Sequence, residues 1–301
     1  MRLTRVRRLL AHLGALGPLA CSGGGAGSAH PARSPAPVVA AARDSTGPTR
    51  DSTARARDSA AQAAQRAGRD STEARLLLRE GQLDFEGGRD SAAASEFAGA
   101  LRHSPHLTPA LAGLAMVEAH AEHPAAALAL ADSAVALGDT SGVLTSLRGR
   151  MLAQLRRCPE AVAVLGPFVR AHPEWTSPVP ELVRCYLVIG RASDAVPVAQ
   201  AAVRKEPRAP PLEYALVDAL TAASQFDSAL AHARHLTELH PENGLWWALM
   251  ARELVFVNRM EEARGAYERA FHLRPGLADS MPPIDRNAWK AIQSLPRRPP
   301  R

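Results

Sequence analysis

The 301-residue sequence predicts an all-α fold, a solenoid of about six helix-turn-helix repeats closed by a C-terminal capping helix. Apolar residues make up 46% of the chain, yet Phe, Trp and Tyr together supply only 4%, and alanine is abundant. This composition favours closely packed helices over β-sandwiches and barrels, whose strands prefer β-branched and aromatic residues. A 34-residue period in the sequence is the second observation, and it sets the number of units.

Residues 1–20 have the features of a secretory signal peptide. A segment with four Arg and no acid precedes a short apolar stretch that ends in small residues. Cys21 follows Leu19-Ala20 and precedes a Gly/Ser run, which resembles a bacterial lipoprotein signal, so the resemblance implies lipidation of Cys21. Removing residues 1–20 reduces the formal charge from +6 to +2. The basic composition of the whole chain is therefore no argument for nucleic-acid binding.

Residues 21–73 are predicted to be a disordered tether. They are rich in Ala, Arg, Asp and Ser, and Val38 and Val39 are the only large apolar residues before Thr72. Such a segment cannot bury enough apolar surface to fold alone. An Ala-rich helix over 54–67 is the local alternative, and the tether would suit a domain held clear of a membrane surface.

Proline and alanine define the repeats between residues 74 and 275. Proline recurs with a step of 34 residues, with a single gap at Asp139, as Pro105, Pro173, Pro207, Pro241 and Pro275. Twelve residues before each member of the series stands an alanine, as Ala93, Ala127, Ala161, Ala195, Ala229 and Ala263. Proline ends the second helix of each unit, and the small alanine lets two helices cross closely. One such unit cannot bury its own apolar face, so the units must stack.

These positions resemble the tetratricopeptide repeat (TPR) family over about residues 74–275. The family's small residue in the first helix is present as Gly81, Ala115 and Gly149, and its large aromatic residue is retained as Tyr186. The resemblance implies a right-handed superhelix whose concave groove binds proteins or peptides. After Pro275 the period stops, and residues 276–301 are predicted to form a capping helix and a tail, with Ile284, Trp289, Ile292 and Leu295 on one apolar face.

The groove is the predicted binding site, because the family's ligands usually contact the first helix of each repeat. Arg150, Arg184 and Arg252 share one repeat position, and a row of Arg can pair with carboxylates of an acidic partner. A solvated face is the alternative, since Arg is the usual cation of this chain. The chaperone adaptors of the family use Asn at this position, which is absent here, so their ligand is not transferred. The predicted groove residues are Arg75, Gln82, Phe85, Met116, Arg150, Arg184, Tyr214, Asp218, Arg252 and Phe256.

Other candidate chemistry is weak. Glu118, His120, Glu122 and His123 are interpreted as an exposed turn, with weak metal binding as the alternative. The TPR resemblance implies that Cys158 and Cys185 lie on the same side of the stack of repeats. They could form a disulfide in an oxidising compartment, or they could be two buried free thiols. The sequence has no hydrolase elbow, phosphate-binding Gly-rich loop or His-Glu-x-x-His motif.

The sequence therefore predicts an exported, non-enzymatic TPR scaffold that binds a protein or peptide, with no cofactor, metal, nucleic acid or small-molecule substrate. Its predicted location is the periplasmic face of the outer membrane through lipidated Cys21, or the periplasm or exterior without that lipid. One alternative is a component of an outer-membrane assembly complex or of a polysaccharide or protein export complex. An enzyme with a TPR body is less favoured, because only about 26 residues follow the repeats.

Overall fold

The computed structural model describes residues 50–294, and all the regular structure in this range is helical. The predicted signal peptide, Cys21, the tether as far as residue 49 and the tail from residue 295 lie outside the described residues. Within the described range, no helix has the length and apolar character that crossing a membrane requires.

Twelve helices pack as six consecutive pairs, and each pair contacts the next. The pairs are α1 (Arg50–Glu86) with α2 (Asp90–His103), α3 (Thr108–His120) with α4 (Pro124–Ala136), α5 (Gly142–Gln154) with α6 (Cys158–Ala171), α7 (Val179–Val188) with α8 (Ala192–Lys205), α9 (Pro210–Ala222) with α10 (Phe226–Leu239), and α11 (Gly244–Phe256) with α12 (Met260–Leu273). A short α13 (Leu277–Ser280) and the cap α14 (Pro283–Gln293) follow. The predicted all-α solenoid of six repeats is confirmed.

The turn inside each pair uses one left-handed residue. A positive φ recurs every 34 residues, at Gly88, Glu122, Arg156, Gly190, Ser224 and Asn258, with φ between 59° and 75°. This conformation ends the first helix and reverses the chain. Glycine adopts it without strain, whereas an ordinary side chain loses about 1 kcal/mol or more there. The repeated turn geometry is thus imposed by the stacking of the pairs, even where the local residue disfavours it.

The predicted close approach of the two helices is visible in the interior. All six alanines of the 34-residue series are completely buried. In the first repeats the ring of Phe97 lies between Gly81 and Gly113, so a methyl group on either glycine would come within 2.8 Å of that ring. Small residues on the first helices therefore make room for larger ones on the second helices.

Helix α1 begins well before the first repeat. The tether predicted over 21–73 differs from the structure from Arg50 onward, where the chain is helical and continuous with the packed segment that starts at Ala74. The described side chains from Arg55 to Glu73 are exposed. The packed segment supplies the helix nucleus, which is the costly step, and Ala-rich sequence then extends the helix without burying anything.

The cap α14 covers the last pair, as predicted, but its buried face differs in detail. Asp285, Ala288 and Ile292 are the buried residues, whereas Ile284 and Trp289 are half-buried. Trp289 packs edge-on against Phe271, with ring centroids 5.2 Å apart. The face is less apolar than expected, because Asp285 lies in it.

Cys158 at the start of α6 and Cys185 in α7 form a disulfide, with their Cα atoms 4.8 Å apart. Of the two alternatives that the sequence leaves open, the structure has the disulfide. Both residues are buried, and the bond joins the third pair of helices to the fourth.

Candidate functional site

The first helices of the repeats form one face, and two neighbouring cavities lie on it. Cavity 1 has a volume of about 240 Å³ and lies between α1, α3, α5 and the link that precedes α7. Its lining residues are Phe85, Met116, Ala119, His120, Val143, Ser146, Leu147, Arg150, Trp175 and Ser177. The rings of Phe85 and His120 pack against each other with centroids 4.9 Å apart and planes inclined by 33°. The cavity therefore combines an aromatic wall with one guanidinium group.

Cavity 2 has a volume of about 250 Å³ and lies between α7 and α9. Its lining residues are Pro180, Glu181, Val183, Arg184, Leu187, Tyr214, Ala215 and Asp218. Burial and the nearby Asp218 raise the pKa of Tyr214 to about 12, so its hydroxyl stays protonated and can donate a hydrogen bond. One carboxylate oxygen of Glu181 is buried and has no hydrogen-bond partner among the described residues. Cavity 2 thus offers apolar contact, a cation and an open acceptor.

The two cavities share an electrostatic feature. Arg150 lines cavity 1 and Arg184 lines cavity 2, and the two occupy the same position in consecutive repeats. Neither side chain has an ion pair or a hydrogen bond with another described residue. Each guanidinium group can therefore pair with an anion, although Glu181 and Asp218 also line cavity 2 beside Arg184. The two guanidinium groups form the positive part of this face.

The prediction that Arg252 continues this row toward a ligand is wrong, because its side chain is 93% buried. It donates to Asp218 at 2.7 Å and to Glu253 at 2.9 Å, and it lies 3.9 Å from Asp285 of the cap. A buried guanidinium needs this many acceptors to offset the loss of its hydration. Arg252 therefore joins the fifth repeat, the sixth repeat and α14, and it is not available to a partner.

The carboxylates around Arg252 have perturbed pKa values. Burial raises the pKa of Asp285 to about 6, although the charge of Arg252 acts in the opposite direction. Burial also raises the pKa of Glu253, again opposed by Arg252. For Arg252 itself, burial lowers the pKa, but the charges of Asp218, Glu253 and Asp285 outweigh this and raise it above its ordinary value. Three acids share one cation in this cluster, and burial favours the neutral form of two of them, Asp285 and Glu253.

The remaining predicted groove residues lie outside both cavities. Arg75 and Gln82 are exposed on α1 and line neither cavity. Phe256 stacks on Phe226, with ring centroids 4.9 Å apart and planes inclined by 9°, at the turn edge of the repeats. Phe256 therefore contributes to packing between α10 and α11. Phe85, Met116, Arg150, Arg184, Tyr214 and Asp218 do line the cavities.

Sequence reasoning missed Trp175 and Glu181. Trp175 lies in the link between α6 and α7, where it packs edge-on against Phe168 with centroids 5.4 Å apart and lines cavity 1. Phe168 stands at a position that is usually Ala in the repeats, and this departure was the signal that an additional large side chain lies nearby. Glu181 gave no comparable signal, because an acid in the first turn of a helix is common.

His232 and His235 have the acidic neighbour that sequence alone did not reveal. Their Nδ1 atoms lie 2.9 Å and 3.0 Å from the two carboxylate oxygens of buried Glu213. Burial would raise the pKa of Glu213, but these hydrogen bonds and the associated charge outweigh burial and lower it. Across residues 50–294, no three His, Cys, Asp or Glu side chains are arranged to hold a metal ion.

Comparison with protein families identifies one matching segment. Residues 181–253, which span α7 to α11, match the family model described as tetratricopeptide repeat. No curated protein sequence matches the chain.

Solved structures with a similar fold include a TPR protein. The pilF protein of Pseudomonas aeruginosa is 17% identical, with a TM-score of 0.58 over 74% of this chain and 98% of that one. YrrB, described as a TPR protein with an unusual peptide-binding site, is 18% identical, with a TM-score of 0.55 over 66% and 99%. MamA of Desulfovibrio magneticus RS-1 is 17% identical, with a TM-score of 0.52 over 56% and 96%. At these identities the likeness is one of fold. The family match and these folds support a TPR-type scaffold for protein–protein interaction and give no evidence of catalysis.

Proposed function

We propose that this TPR-type solenoid binds an acidic, extended segment of a partner protein along the face of its first helices. The observation that carries the proposal is the pair of cavities that contain Arg150 and Arg184 at equivalent positions, neither of which has an ion pair with another described residue. Each guanidinium can take a carboxylate in a bidentate pair, while Phe85, Trp175 and Tyr214 offer apolar contact to neighbouring side chains. The solved structure of YrrB, described as a TPR protein with an unusual peptide-binding site, supports peptide binding by a scaffold of this fold.

The spacing of the two arginines sets the spacing of the acids. Helices α5 and α7, which carry them, pack directly against each other. Packed helices lie about 8–10 Å apart, and a chain in the extended polyproline II conformation has three residues per turn and advances about 3.1 Å per residue, so side chains three residues apart lie on the same side. Two acidic side chains about three residues apart would therefore reach both guanidinium groups. A partner segment of the form acid-x-x-acid, with apolar residues between or beside the acids, fits the face best.

The proposed location is the periplasmic side of a bacterial outer membrane. The features that support it are the signal-like residues 1–20, the lipoprotein-like context of Cys21 and a buried disulfide, which suits an oxidising compartment. If Cys21 is not lipidated, the protein is periplasmic or secreted. Membership of an outer-membrane assembly or export complex is the second candidate, and a membrane complex that co-purifies with the chain would favour it.

The binding proposal is tested by reversing the two charges. We expect Arg150→Glu with Arg184→Glu to abolish binding of a labelled acid-x-x-acid peptide and the crosslinking of native partners in cells. The matched control is Arg170→Glu with Arg204→Glu, which changes the same charge at two exposed arginines one repeat apart on the second helices. Binding that survives in the first variant, or is lost equally in the control, would contradict the proposal. Wild-type binding should also weaken as salt rises.

A further inference from the structure

Helix α1 presents two large apolar side chains to solvent. Leu76 is 54% exposed and Leu83 is 56% exposed. They are seven residues apart, which places them on the same side of the helix two turns apart. The adjacent leucines face the other way, since Leu77 contacts Gly99 and Leu78 packs in the cluster around Phe97. The exposed pair is therefore a distinct surface and not a loose part of the core.

The repeat register identifies what this surface is. Residues equivalent to Leu83 are buried in all five later repeats, as Val117, Met151, Cys185, Ala219 and Glu253. Residues equivalent to Leu76 are buried in four of them, as Ala110, Leu144, Pro178 and Leu212. In those repeats the preceding pair of helices stacks on this face. Leu76 and Leu83 thus mark an interface between repeats whose other half is missing among the described residues.

The opposite end of the solenoid is closed. Helix α14 packs on α11 and α12, with Ala288 and Ile292 buried beneath it. The C-terminal end of one chain therefore offers no free repeat face to the N-terminal end of another. Head-to-tail stacking of the described residues into filaments is blocked, so between two copies the face of α1 can pair with the same face of the second copy. Such a contact is isologous and closes as a twofold dimer.

The charges on this face are self-complementary. Arg79 and Glu80 lie between the two leucines, are exposed, and have no ion pair with another described residue. If two α1 helices cross antiparallel about a twofold axis between positions 79 and 80, Leu76 meets Leu83 of the second copy and Arg79 meets Glu80 of the second copy. Every pair occurs twice, and no like charges meet at the centre. We propose that the protein forms a twofold dimer through Leu76, Arg79, Glu80 and Leu83 of α1.

Sedimentation equilibrium of the full chain over a range of concentrations tests this proposal. We expect a species of twice the 32.0-kDa chain mass, and at least about tenfold weaker association for Leu76→Glu and for Leu83→Glu. The control is Val188→Glu, a change at another apolar residue of similar exposure (59%), which should leave association unchanged. Circular dichroism checks that each variant is folded.

A charge swap separates the twofold contact from a general loss of solubility or fold. Arg79→Glu alone and Glu80→Arg alone each place like charges together and should weaken the dimer, whereas the double swap should restore it. A wild-type chain that is monomeric at every concentration would overturn the proposal. If Leu83→Glu also lowers the melting temperature of that monomer, residues before Arg50 cover the face instead of a second copy. A dimer that neither the leucine variants nor the single charge variants affect would also overturn the proposal.

Discussion

Asp218 and Arg252 occupy the same position in consecutive repeats, 34 residues apart, and a guanidinium nitrogen of Arg252 lies 2.7 Å from a carboxylate oxygen of Asp218. Arg252 also meets Glu253 of its own helix and Asp285 of the cap. One buried cation thus connects two repeats to the helix that closes the solenoid. The same repeat position carries Arg150 and Arg184, which have no ion pair among residues 50–294, so a shared register does not give these residues a shared role.

Removing Arg252 should strongly destabilise the C-terminal end. In Arg252→Met the buried acids Glu253 and Asp285 lose their cation, and breaking a buried pair in this way costs roughly 3–5 kcal/mol. The denaturation midpoint in urea, followed by circular dichroism, measures the effect. Arg184→Met is the matched control, because its exposed side chain has no partner among the described residues, and the change should stay within about 0.5 kcal/mol. Equal effects of the two substitutions would contradict the buried role of Arg252.

Asp285 should make stability depend on pH. Its pKa is about 6 in the folded chain, against an ordinary 3.8, so the folded state favours the protonated acid. This contribution to stability is complete below pH 4 and is lost as pH rises through about 6. At about 1.4 kcal/mol per pKa unit, the loss amounts to roughly 3 kcal/mol.

The substitution Asp285→Asn checks the sign of that effect. The melting temperature of the variant relative to wild type should rise between pH 4.5 and pH 7.5, because Asn never ionises. Asp279→Asn, at an exposed position in α13, should show no such trend. A difference between Asp285→Asn and wild type that is constant with pH, or that shifts in favour of wild type as pH rises, would contradict the raised pKa of Asp285.

Gly113 should not tolerate a methyl group. A Cβ atom there would lie 2.5 Å from the ring of Phe97, and Gly81 encloses the ring from its other side. We expect Gly113→Ala to destabilise the protein by about 1–3 kcal/mol through overpacking, although Ala is the better helix former. Gly265→Ala in α12 meets no atom within 4 Å and should instead stabilise by up to about 1 kcal/mol. If both substitutions stabilise, Phe97 is not confined as described, and thermal melts decide between these outcomes.

Loss of the Cys158–Cys185 disulfide should weaken the junction of the third and fourth repeats. The two residues are 27 positions apart, and opening a loop of this size costs roughly 3 kcal/mol. The double variant Cys158→Ala, Cys185→Ala should therefore melt at a lower temperature than oxidised wild type. Dithiothreitol should lower the melting temperature of wild type and leave the variant unchanged. A wild-type protein that is insensitive to the reductant even after unfolding and refolding in it would contradict the prediction.

The repeats were predictable because their geometry requires the same small residues at the same places. An alanine where two helices cross and a proline after the second helix recur every 34 residues, and the structure confirms the fold they indicate. The left-handed turn position was only partly visible. Gly88, Gly190 and Asn258 are typical of it, whereas Glu122 and Arg156 adopt it under the constraint of stacking and give no local signal.

Side chains that lie outside the period, or that meet a non-repeating element, were harder to predict. Arg252 was correctly placed on the repeat grid, but its burial depends on Asp285, which belongs to the cap and has no equivalent in the repeats. Asp218 stands at the same position one repeat earlier and has the opposite charge, which indicated that Arg252 could pair with it inside the solenoid. Trp175 lies in a link between helices, and the helical period does not predict which way a side chain in a link points.

The exposed first part of α1 has a mechanical consequence. From Arg50 to Glu73 the helix extends about 36 Å beyond the first repeat, at 1.5 Å per residue. A rotation of the repeats by 10° would therefore displace Arg50 by about 6 Å. A force applied at Arg50 across the helix axis would reach Ala74 as a bending moment, because the helix between them is continuous. The segment thus acts as a lever arm. It couples the orientation of the repeats to the position of Arg50.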